Sequence, residues 1–317
     1  MNDLPKISVG FFGTPDFSLQ FLKNLFQKEV EIKFVVSQPA TKSGRGKRIK
    51  LSAVEEWAIE KDIPTYTPKK TNEVDFLEMI KLIKVDFIIV VAYGNMVCDE
   101  IINHPKYQTI NVHASLLPKW RGAAPIQRSL INGDQETGVT IMKIVKKLDA
   151  GPIISNVKFK IKDNDTAGKI YERIIKLGNP LLTQTILEIF KDEFVLTEQQ
   201  DEDVSYAKKI EKSETKIIWS EDAHLIDRKI RAFNPKPGAW TTISLNKKRI
   251  KINKSKVISS PKFKLKPEMN VGESLQSLVV KCGKNFLQIT ELQPEGKKKM
   301  TATDFLNGLK NSHILFD

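Results

Sequence analysis

The stretch Asp86-Phe-Ile-Ile-Val-Val-Ala92 is a continuous apolar run, typical of a β-strand that is covered on both faces. Such strands belong to parallel sheets, because the helices that connect parallel strands lie on both faces of the sheet. On either side of this run, strand and helix patterns alternate through the first 190 or so residues. This alternation favours an α/β fold with a doubly wound, mainly parallel sheet.

The elements of this sheet follow from the apolar patterns. Strands are predicted at Ile7–Phe12, Glu31–Val36, Thr109–His113, Gly138–Ile144 and Ile153–Ile161. Helices are predicted at about 52–62, at about 72–84, at Ala123–Ile131, and over about 25 residues from Thr166.

The pattern changes after an acidic, Gln-containing segment from Lys191 to Val204, which we interpret as a linker. Beyond it, Ser220 is predicted to cap a helix that ends at Asn234-Pro-Lys-Pro-Gly238. Short strand-like runs then recur at Ala239–Leu245, Arg249–Ile258, Leu275–Cys282 and Phe286–Leu292. They suggest a small barrel, followed by a helix that Thr301 caps. We therefore predict a first domain at 1–190, a linker at 191–205 and a second domain at 206–317.

The composition is that of a folded soluble protein, with 40% hydrophobic and 28% charged residues. No apolar run reaches the ~18 residues of a membrane span. The N-terminal residues lead directly to the first predicted strand, and they show no secretory signal. Cys98 and Cys282 have no His or Cys at metal-ligand spacing, so we expect no disulfide, no metal site and a cytoplasmic location.

The positive charge is concentrated in the C-terminal part. Residues 206–317 carry 23 Lys and Arg against 11 Asp and Glu, a net of +12, whereas residues 1–205 carry 28 against 27. This asymmetry predicts a polyanionic partner, such as a nucleic acid, for the second domain. The alternative is a Lys-rich surface that serves solubility alone.

The segment Asn111-Val-His-Ala-Ser-Leu-Leu-Pro-Lys-Trp-Arg121 contains the candidate catalytic residues. Residues i and i+2 of a strand point to the same face, so Asn111 and His113 can both address a reacting carbonyl. Asn can donate to an oxyanion, and His exchanges protons near neutral pH. Asp149 follows the strand Gly138–Ile144, and we expect it to meet both side chains at the carboxyl ends of the strands. These residues would then combine acid/base catalysis with oxyanion stabilisation.

Two glycine-containing loops differ from known nucleotide-binding motifs. Gly10-Phe-Phe-Gly-Thr-Pro-Asp16 lacks the third glycine and the spacing of a dinucleotide fingerprint, which argues against a nicotinamide cofactor. Ser43-Gly-Arg-Gly-Lys-Arg48 contains no phosphate loop. It is interpreted as a basic loop whose cations face solvent or phosphate: Lys42, Arg45, Lys47, Arg48 and Lys50.

Further motifs extend along the whole chain. They are Phe12-Gly-Thr-Pro-Asp-Phe17, Ser37-Gln-Pro39, Gly44-Arg-Gly-Lys47, Val91-Ala-Tyr-Gly94, Trp120-Arg-Gly-Ala-Ala-Pro-Ile-Gln-Arg128, Glu136-Thr-Gly-Val-Thr-Ile-Met142, Leu148-Asp-Ala-Gly151 and Arg231-Ala-Phe-Asn-Pro-Lys-Pro-Gly-Ala-Trp240. With Asn111–Pro118, they make the chain resemble the methionyl-tRNA formyltransferases nearly from end to end. The N-x-H…S-L-L-P motif with a downstream Asp is shared by formyltransferases that use 10-formyltetrahydrofolate. The G-R-G-K and R-A-F-N-P segments narrow the resemblance to the tRNA enzymes.

This resemblance implies a Rossmann-like catalytic domain and an OB-like barrel that binds the tRNA acceptor arm. It implies transfer of a formyl group from 10-formyltetrahydrofolate to the α-amino group of methionyl initiator tRNA, for translation initiation. The catalytic residues would be Asn111, His113 and Asp149. No metal would be required, and we expect a monomer that does not bind membranes.

The resemblance also implies binding residues. For the folate they are Ala92, Tyr93, Gly94, Ser115, Leu116, Leu117 and Pro118. For tRNA they are Lys42, Arg45, Lys47 and Arg48 in the basic loop, and Lys247, Lys248 and Arg249 in the barrel. Arg45 is the residue that we expect against the acceptor end.

Three alternatives remain at this point. A sister formyltransferase could act on a sugar-nucleotide amine or on glycinamide ribonucleotide, although the +12 C-terminal part would then lack a purpose. A 10-formyltetrahydrofolate hydrolase would use water in place of the amine. A non-catalytic RNA-binding protein could retain the scaffold, but the presence of Asn111, His113 and Asp149 together argues against it.

Overall fold

The computed structural model describes residues 6–43, 48–259, 269–309 and 314–317. The chain forms two compact units. The first comprises Met1–Pro125, Glu136–Lys160 and Tyr171–Lys208, and the second comprises Ile126–Gln135, Ile161–Ile170 and Lys209–Asp317. The division into a first functional domain, a linker and a second functional domain remains a prediction, with the bounds 1–190, 191–205 and 206–317.

The helices and strands up to residue 208 alternate over most of this length. The strands are β1 Ser8–Gly13, β2 Glu31–Val36, β3 Thr41–Ser43, β4 Arg48–Lys50, β5 Thr65–Tyr66, β6 Phe87–Val91, β7 Gln108–His113, β8 Arg121–Gly122, β9 Glu136–Lys143, β10 Ile153–Lys160 and β11 Tyr206–Ala207. The helices are α1 Asp16–Gln27, α2 Ala53–Glu60, α3 Val74–Lys81, α4 Asp99–Ile102, α5 Pro125–Asn132 and α6 Ala167–Phe190.

A seven-stranded sheet organises the first unit, in the order β10-β9-β7-β6-β1-β2-β5. The apolar run at residues 86–92 forms β6, in which every residue is buried, between β1 and β7. The pairs β1–β2, β1–β6, β6–β7 and β2–β5 are all parallel. The doubly wound, mainly parallel sheet is thereby confirmed.

The sheet is antiparallel at one edge, where β9 pairs with β7 and β10 pairs with β9. A loop with no crossover helix joins β9 to β10, and such a short connection requires antiparallel strands. The expectation that β9 ends beside the carboxyl end of β7 is wrong: Lys143 lies opposite Ile110, whereas His113 lies opposite Thr140. Asp149 therefore reaches β7 through the loop 144–152, not through the direction of β9.

An apolar cluster packs on one side of the parallel strands and fixes the position of β6. Its buried members are Phe12, Phe34, Val36, Phe76, Ile80, Val85, Ile88, Val90, Tyr93 and Ile101. The rings of Phe12 and Tyr93 meet edge to face with their centroids 5.3 Å apart. Burial of such side chains stabilises the fold by about 1.5–3 kcal/mol each.

The second unit contains an antiparallel sheet in the order β12-β13-β16-β15-β14, with β17 on β16. These strands are β12 Ala239–Thr242, β13 Arg249–Ile258, β14 Ser274–Leu275, β15 Val279–Lys281, β16 Phe286–Pro294 and β17 Met300–Thr301. The helices are α7 Ala223–Ala232 and α8 Ala302–Asn307.

The last described segment, 314–317, closes this sheet into a barrel. Phe316 pairs with Ile243, just after β12, and Leu315 pairs with Glu273, just before β14. The two edge strands are thus bridged by one segment. The hydroxyls of Ser244 and Thr242 and the ammonium of Lys247 donate to the Asp317 carboxylate, which lowers the pKa of Asp317 to about 2.

Two predicted details of the second unit are wrong. The cap of α7 is Asp222, whose carboxylate accepts a hydrogen bond from His224 N at 2.8 Å, and not Ser220. The carbonyls of Trp219 and Glu221 accept from Gly283 N, so this backbone is held outside the helix. The predicted strand Leu275–Cys282 is interrupted, because Ser277 and Leu278 have left-handed φ angles of 59° and 51°. The cap by Thr301 is confirmed, since its hydroxyl accepts from Asp304 N.

Within the described ranges, no helix is both long enough and apolar enough to cross a membrane.

Candidate active site

The carboxylate of Asp149 is the point at which the predicted catalytic residues meet. Asn111 Nδ2 donates to Asp149 Oδ1 at 3.4 Å, and His113 Nδ1 lies 3.7 Å from Asp149 Oδ2. The backbone N–H of Gly122 donates to the same Oδ2 at 2.8 Å. One carboxylate therefore orients a carboxamide, faces an imidazole and is itself held by a backbone donor.

His113 is held by its other ring nitrogen. Nε2 lies 2.9 Å from the carbonyl oxygen of Trp120, which can only accept a hydrogen bond. Nε2 must therefore carry a proton, and Nδ1 is the nitrogen that faces Asp149. His113 and Asp149 are largely shielded, with side-chain exposures of 6% and 14%. Shielding from water strengthens the electrostatic interactions among these groups.

The residues 120–122 that contact His113 and Asp149 are fixed by a short parallel pairing. Strand β8 pairs with β11, with Arg121 opposite Tyr206 and Gly122 opposite Ala207. Trp120 N donates to Ser205 Oγ, and Arg121 N donates to Ser205 O, both at 2.9 Å. The backbone groups that hold the candidate catalytic side chains are thus anchored to residues about 85 positions later in the chain.

The loop 144–152 adopts a tight conformation that brings Asp149 to the site. Asp149 has a left-handed φ of 46°, which few residues other than glycine adopt. A Cβ on Gly151 would lie 1.9 Å from the carbonyl oxygen of Lys143, so only glycine fits there. The amide of Gln199 donates to the carbonyls of Asp149 and Gly151, at 3.0 and 2.7 Å.

Among the predicted folate residues, Ala92 and Gly94 are exposed at the carboxyl end of β6, whereas Tyr93 is buried. Ala92 and Gly94 have positive φ angles of 44° and 93°, so the backbone turns sharply here. Burial raises the pKa of the Tyr93 phenol to about 12, which keeps the hydroxyl neutral. The side chain of Tyr93 supports this turn from inside the apolar cluster.

The residues 115–118 form a loop directly after β7. Ser115 is fully buried, and its hydroxyl donates to Lys119 O at 2.7 Å. Thr140 Oγ1 donates to Ser115 O and accepts from Leu117 N, at 2.7 and 3.1 Å. Leu117 is also buried, whereas Leu116 and Pro118 are half-buried. Ser115 and Leu117 therefore shape this loop from within.

The predicted tRNA residues lie in two places. Lys247, Lys248 and Arg249 are exposed where β12 connects to β13. The ammonium of Lys247 is paired with Asp317 at 3.1 Å, and the guanidinium of Arg249 lies over the Trp240 ring at 4.0 Å. In the basic loop, Lys42 lies on β3 and Arg48 on β4, which pair in antiparallel fashion. Arg45 and Lys47 lie outside the described residues.

Three contributors to the site escaped the sequence analysis. They are the carbonyl of Trp120, the N–H of Gly122 and the side chain of Gln199. The first two are backbone groups, which no residue pattern identifies. Gln199 lies in a segment that we interpreted as a linker because of its acidic composition, so no contact with the site was expected there.

Comparisons with known proteins identify the family of this chain. The model of the family Formyl transferase matches residues 6–186, and that of Formyl transferase, C-terminal domain, matches residues 209–310. A methionyl-tRNA formyltransferase of Pseudoalteromonas translucida is 40% identical over 302 residues, covering 94% of this chain and 92% of the relative. One from Neisseria meningitidis is 38% identical over 308 residues, covering 95% and 97%.

Solved structures share the fold at lower identity. An N-formyltransferase from Helicobacter canadensis, in complex with folinic acid and dTDP-3-aminofucose, has a TM-score of 0.64 at 20% identity and covers 93% of this chain and all of its own. HypX from Aquifex aeolicus, in complex with tetrahydrofolic acid, has a TM-score of 0.63 at 17% identity. The alignment covers 95% of this chain and 47% of the HypX chain. The family models and the relatives that span nearly the whole chain show that it belongs to the methionyl-tRNA formyltransferase family of formyl-transferring enzymes.

Proposed function

We propose that this enzyme transfers the formyl group of 10-formyltetrahydrofolate to the α-amino group of methionyl initiator tRNA, giving N-formylmethionyl-tRNA for translation initiation. The observation that carries the proposal is the Asp149 carboxylate, which lies between Asn111 and His113. The formyltransferase family uses folate derivatives, and the 10-formyl form is the donor that the sequence resemblance implies.

In this mechanism, Asn111 stabilises the oxygen on which negative charge develops. A carboxamide nitrogen has two hydrogens, and one of them is directed at Asp149 Oδ1. The other is available for the formyl oxygen as the amine attacks the formyl carbon. A donor that is oriented before the reaction contributes more than one that must reorganise during it.

The second role belongs to His113 and Asp149, which move one proton. A free α-amino group titrates at about 7.7, so about one sixth of it is already a neutral nucleophile at pH 7. After attack, the amine must lose one proton, and N10 of the folate must gain one as its bond to the formyl carbon breaks. His113 Nδ1 and Asp149 Oδ2, 3.7 Å apart, provide adjacent acceptors for this transfer.

The folate would bind along residues 92–94 and 115–118. Exposed Ala92 and Gly94 and half-buried Leu116 and Pro118 would contact it, with Tyr93, Ser115 and Leu117 as support. The basic loop, including Arg45 and Lys47, and the turn at residues 247–249 would contact tRNA phosphates. We also propose that the enzyme acts as a cytoplasmic monomer.

A substrate-competition assay tests this function. With 10-formyltetrahydrofolate as donor, methionyl initiator tRNA, a dTDP-amino sugar and glycinamide ribonucleotide are offered as acceptors, and formate release is followed without any acceptor. We expect formylation of the tRNA with a kcat/KM far above that of the other acceptors. Preferential formylation of either small amine, or formate release at the same rate without acceptor, would support the sister enzymes or the hydrolase.

Replacing Asn111 tests the oxyanion role. Asn111→Ala should lower kcat by about 10²–10³, because one preorganised donor to the developing charge is lost. The folate dissociation constant should change little. The matched control is Asn156→Ala, which removes an exposed carboxamide on β10 of the same sheet and should leave kcat unchanged. A wild-type kcat for Asn111→Ala would exclude this residue from oxyanion stabilisation.

Replacing Lys248 tests the tRNA surface. Lys248→Ala should weaken tRNA binding and reduce the slope of log K against log salt by about 1, because one phosphate neutralisation is lost. Lys158→Ala on β10, which removes a 70% exposed ammonium, is the control. A salt titration of tRNA binding measures both slopes. Equal slopes for Lys248→Ala and wild type would place the tRNA contacts elsewhere on the chain.

A further inference from the structure

We propose that Gln199 is a positioning residue for Asp149, and that Arg121 fixes the orientation in which Gln199 acts. This inference rests on the proposed catalytic role of Asp149. It concerns a side chain that, within the described ranges, makes no hydrogen bond to Asn111 or His113 and acts on the site through the backbone of the loop 144–152.

The carboxamide of Gln199 uses its whole hydrogen-bonding capacity. Oε1 accepts from Arg121 Nε at 3.0 Å and from Arg121 Nη2 at 2.8 Å. Nε2 donates to Asp149 O at 3.0 Å and to Gly151 O at 2.7 Å. A carboxamide offers two lone pairs and two hydrogens, so all four are engaged.

Arg121 determines which way the carboxamide points. A guanidinium has only donors, so the oxygen of Gln199 must face it and the nitrogen must face the loop. Arg121 is 2% exposed, and its backbone is fixed in β8. The segment 120–122, which includes this strand, holds Trp120 O against His113 and Gly122 N against Asp149. Orientation of the loop and orientation of the imidazole thus depend on one backbone segment.

The loop needs this support because its conformation is unfavourable by itself. Asp149 has a left-handed φ of 46°, and Gly151 packs against the Lys143 carbonyl with no space for a Cβ. Gln199 binds the two carbonyls that flank this turn. Without it, the loop can relax toward ordinary backbone angles, and the Asp149 carboxylate moves away from Asn111 and His113.

Gln199 is itself anchored on both sides along the chain. Thr197 exchanges two backbone hydrogen bonds with Ile153, at 2.8 and 2.9 Å. Ser205 accepts from Trp120 N and Arg121 N. The segment 197–205 therefore connects the start of β10 with the segment after β7, and Gln199 lies between these two attachments.

The expected effect of removing the carboxamide is a loss of turnover with little loss of binding. Displacement of a catalytic group by about 1 Å can cost up to about 10²-fold in rate. Gln199→Leu should lower kcat by about 10- to 100-fold. Gln199→Glu should lower kcat by a similar factor, because its carboxylate can pair with Arg121 but cannot donate to the two carbonyls. The dissociation constants of folate and tRNA should stay within about twofold of the wild-type values, because contacts that are equally strong in the ground state and the transition state are left unchanged.

The experiment measures kcat for formyl transfer by wild type, Gln199→Leu, Gln199→Glu, Asp149→Ala and the double variant Asp149→Ala/Gln199→Leu. Gln200→Leu, at the exposed neighbouring position, is the control and should match wild type. If Gln199 acts through Asp149, the double variant should be no slower than Asp149→Ala alone, because the two residues form one unit. The pH profile of Gln199→Leu should also change shape in the direction of that of Asp149→Ala.

The outcomes separate the two proposals. If Gln199→Leu had a wild-type kcat while Asp149→Ala had a strongly reduced kcat, the positioning role would be overturned and the proposed function would stand. Fully multiplicative losses in the double variant would also overturn it, because Gln199 would then act independently of Asp149. A wild-type kcat for Asp149→Ala would remove Asp149 from the mechanism and with it the positioning role of Gln199, whereas absence of formyl transfer by the wild type would overturn the proposed function.

Discussion

The Asp149 carboxylate is the constraint on which the site depends. Its two oxygens lie against Asn111 Nδ2, Gly122 N and His113 Nδ1, three groups supplied by two different parts of the chain. A shared acceptor of this kind fixes the relative positions of a donor and a proton carrier before any substrate arrives. Preorganisation is valuable here because donors that are already oriented cost no reorganisation as charge develops.

The fold satisfies this constraint in two ways. Strand β7, in the interior of the sheet, holds Asn111 and His113 on one face and in fixed register with β6 and β9. The reversal of β9 then requires the following loop to return to β7, and Gly151, Gln199 and Gly122 N hold it there. A rigid strand thus supplies one half of the site, and a supported loop supplies the other half.

The sequence predicted the parts of this arrangement that depend on local chemistry. The apolar run at residues 86–92 identified β6, and the two-residue period placed Asn111 and His113 on one face. The proximity of Asp149 was expected for the wrong reason, because strand direction depends on long-range pairing. Gln199 lay in a segment whose composition resembles a linker, and its partners are about 50 and 78 residues away. Backbone donors and acceptors, such as Gly122 N and Trp120 O, have no sequence signature.

The ring of His113 offers the most direct test of the shared carboxylate. The chain has 4 histidines, so ¹⁵N NMR of ring-labelled protein, with a His113→Gln variant for assignment, can follow this ring alone. We predict that the neutral ring carries its proton on Nε2, directed at Trp120 O, and that Asp149→Asn shifts the Nδ1 resonance more than that of Nε2. A neutral ring protonated at Nδ1, or an Nδ1 resonance that does not respond to Asp149→Asn, would contradict it.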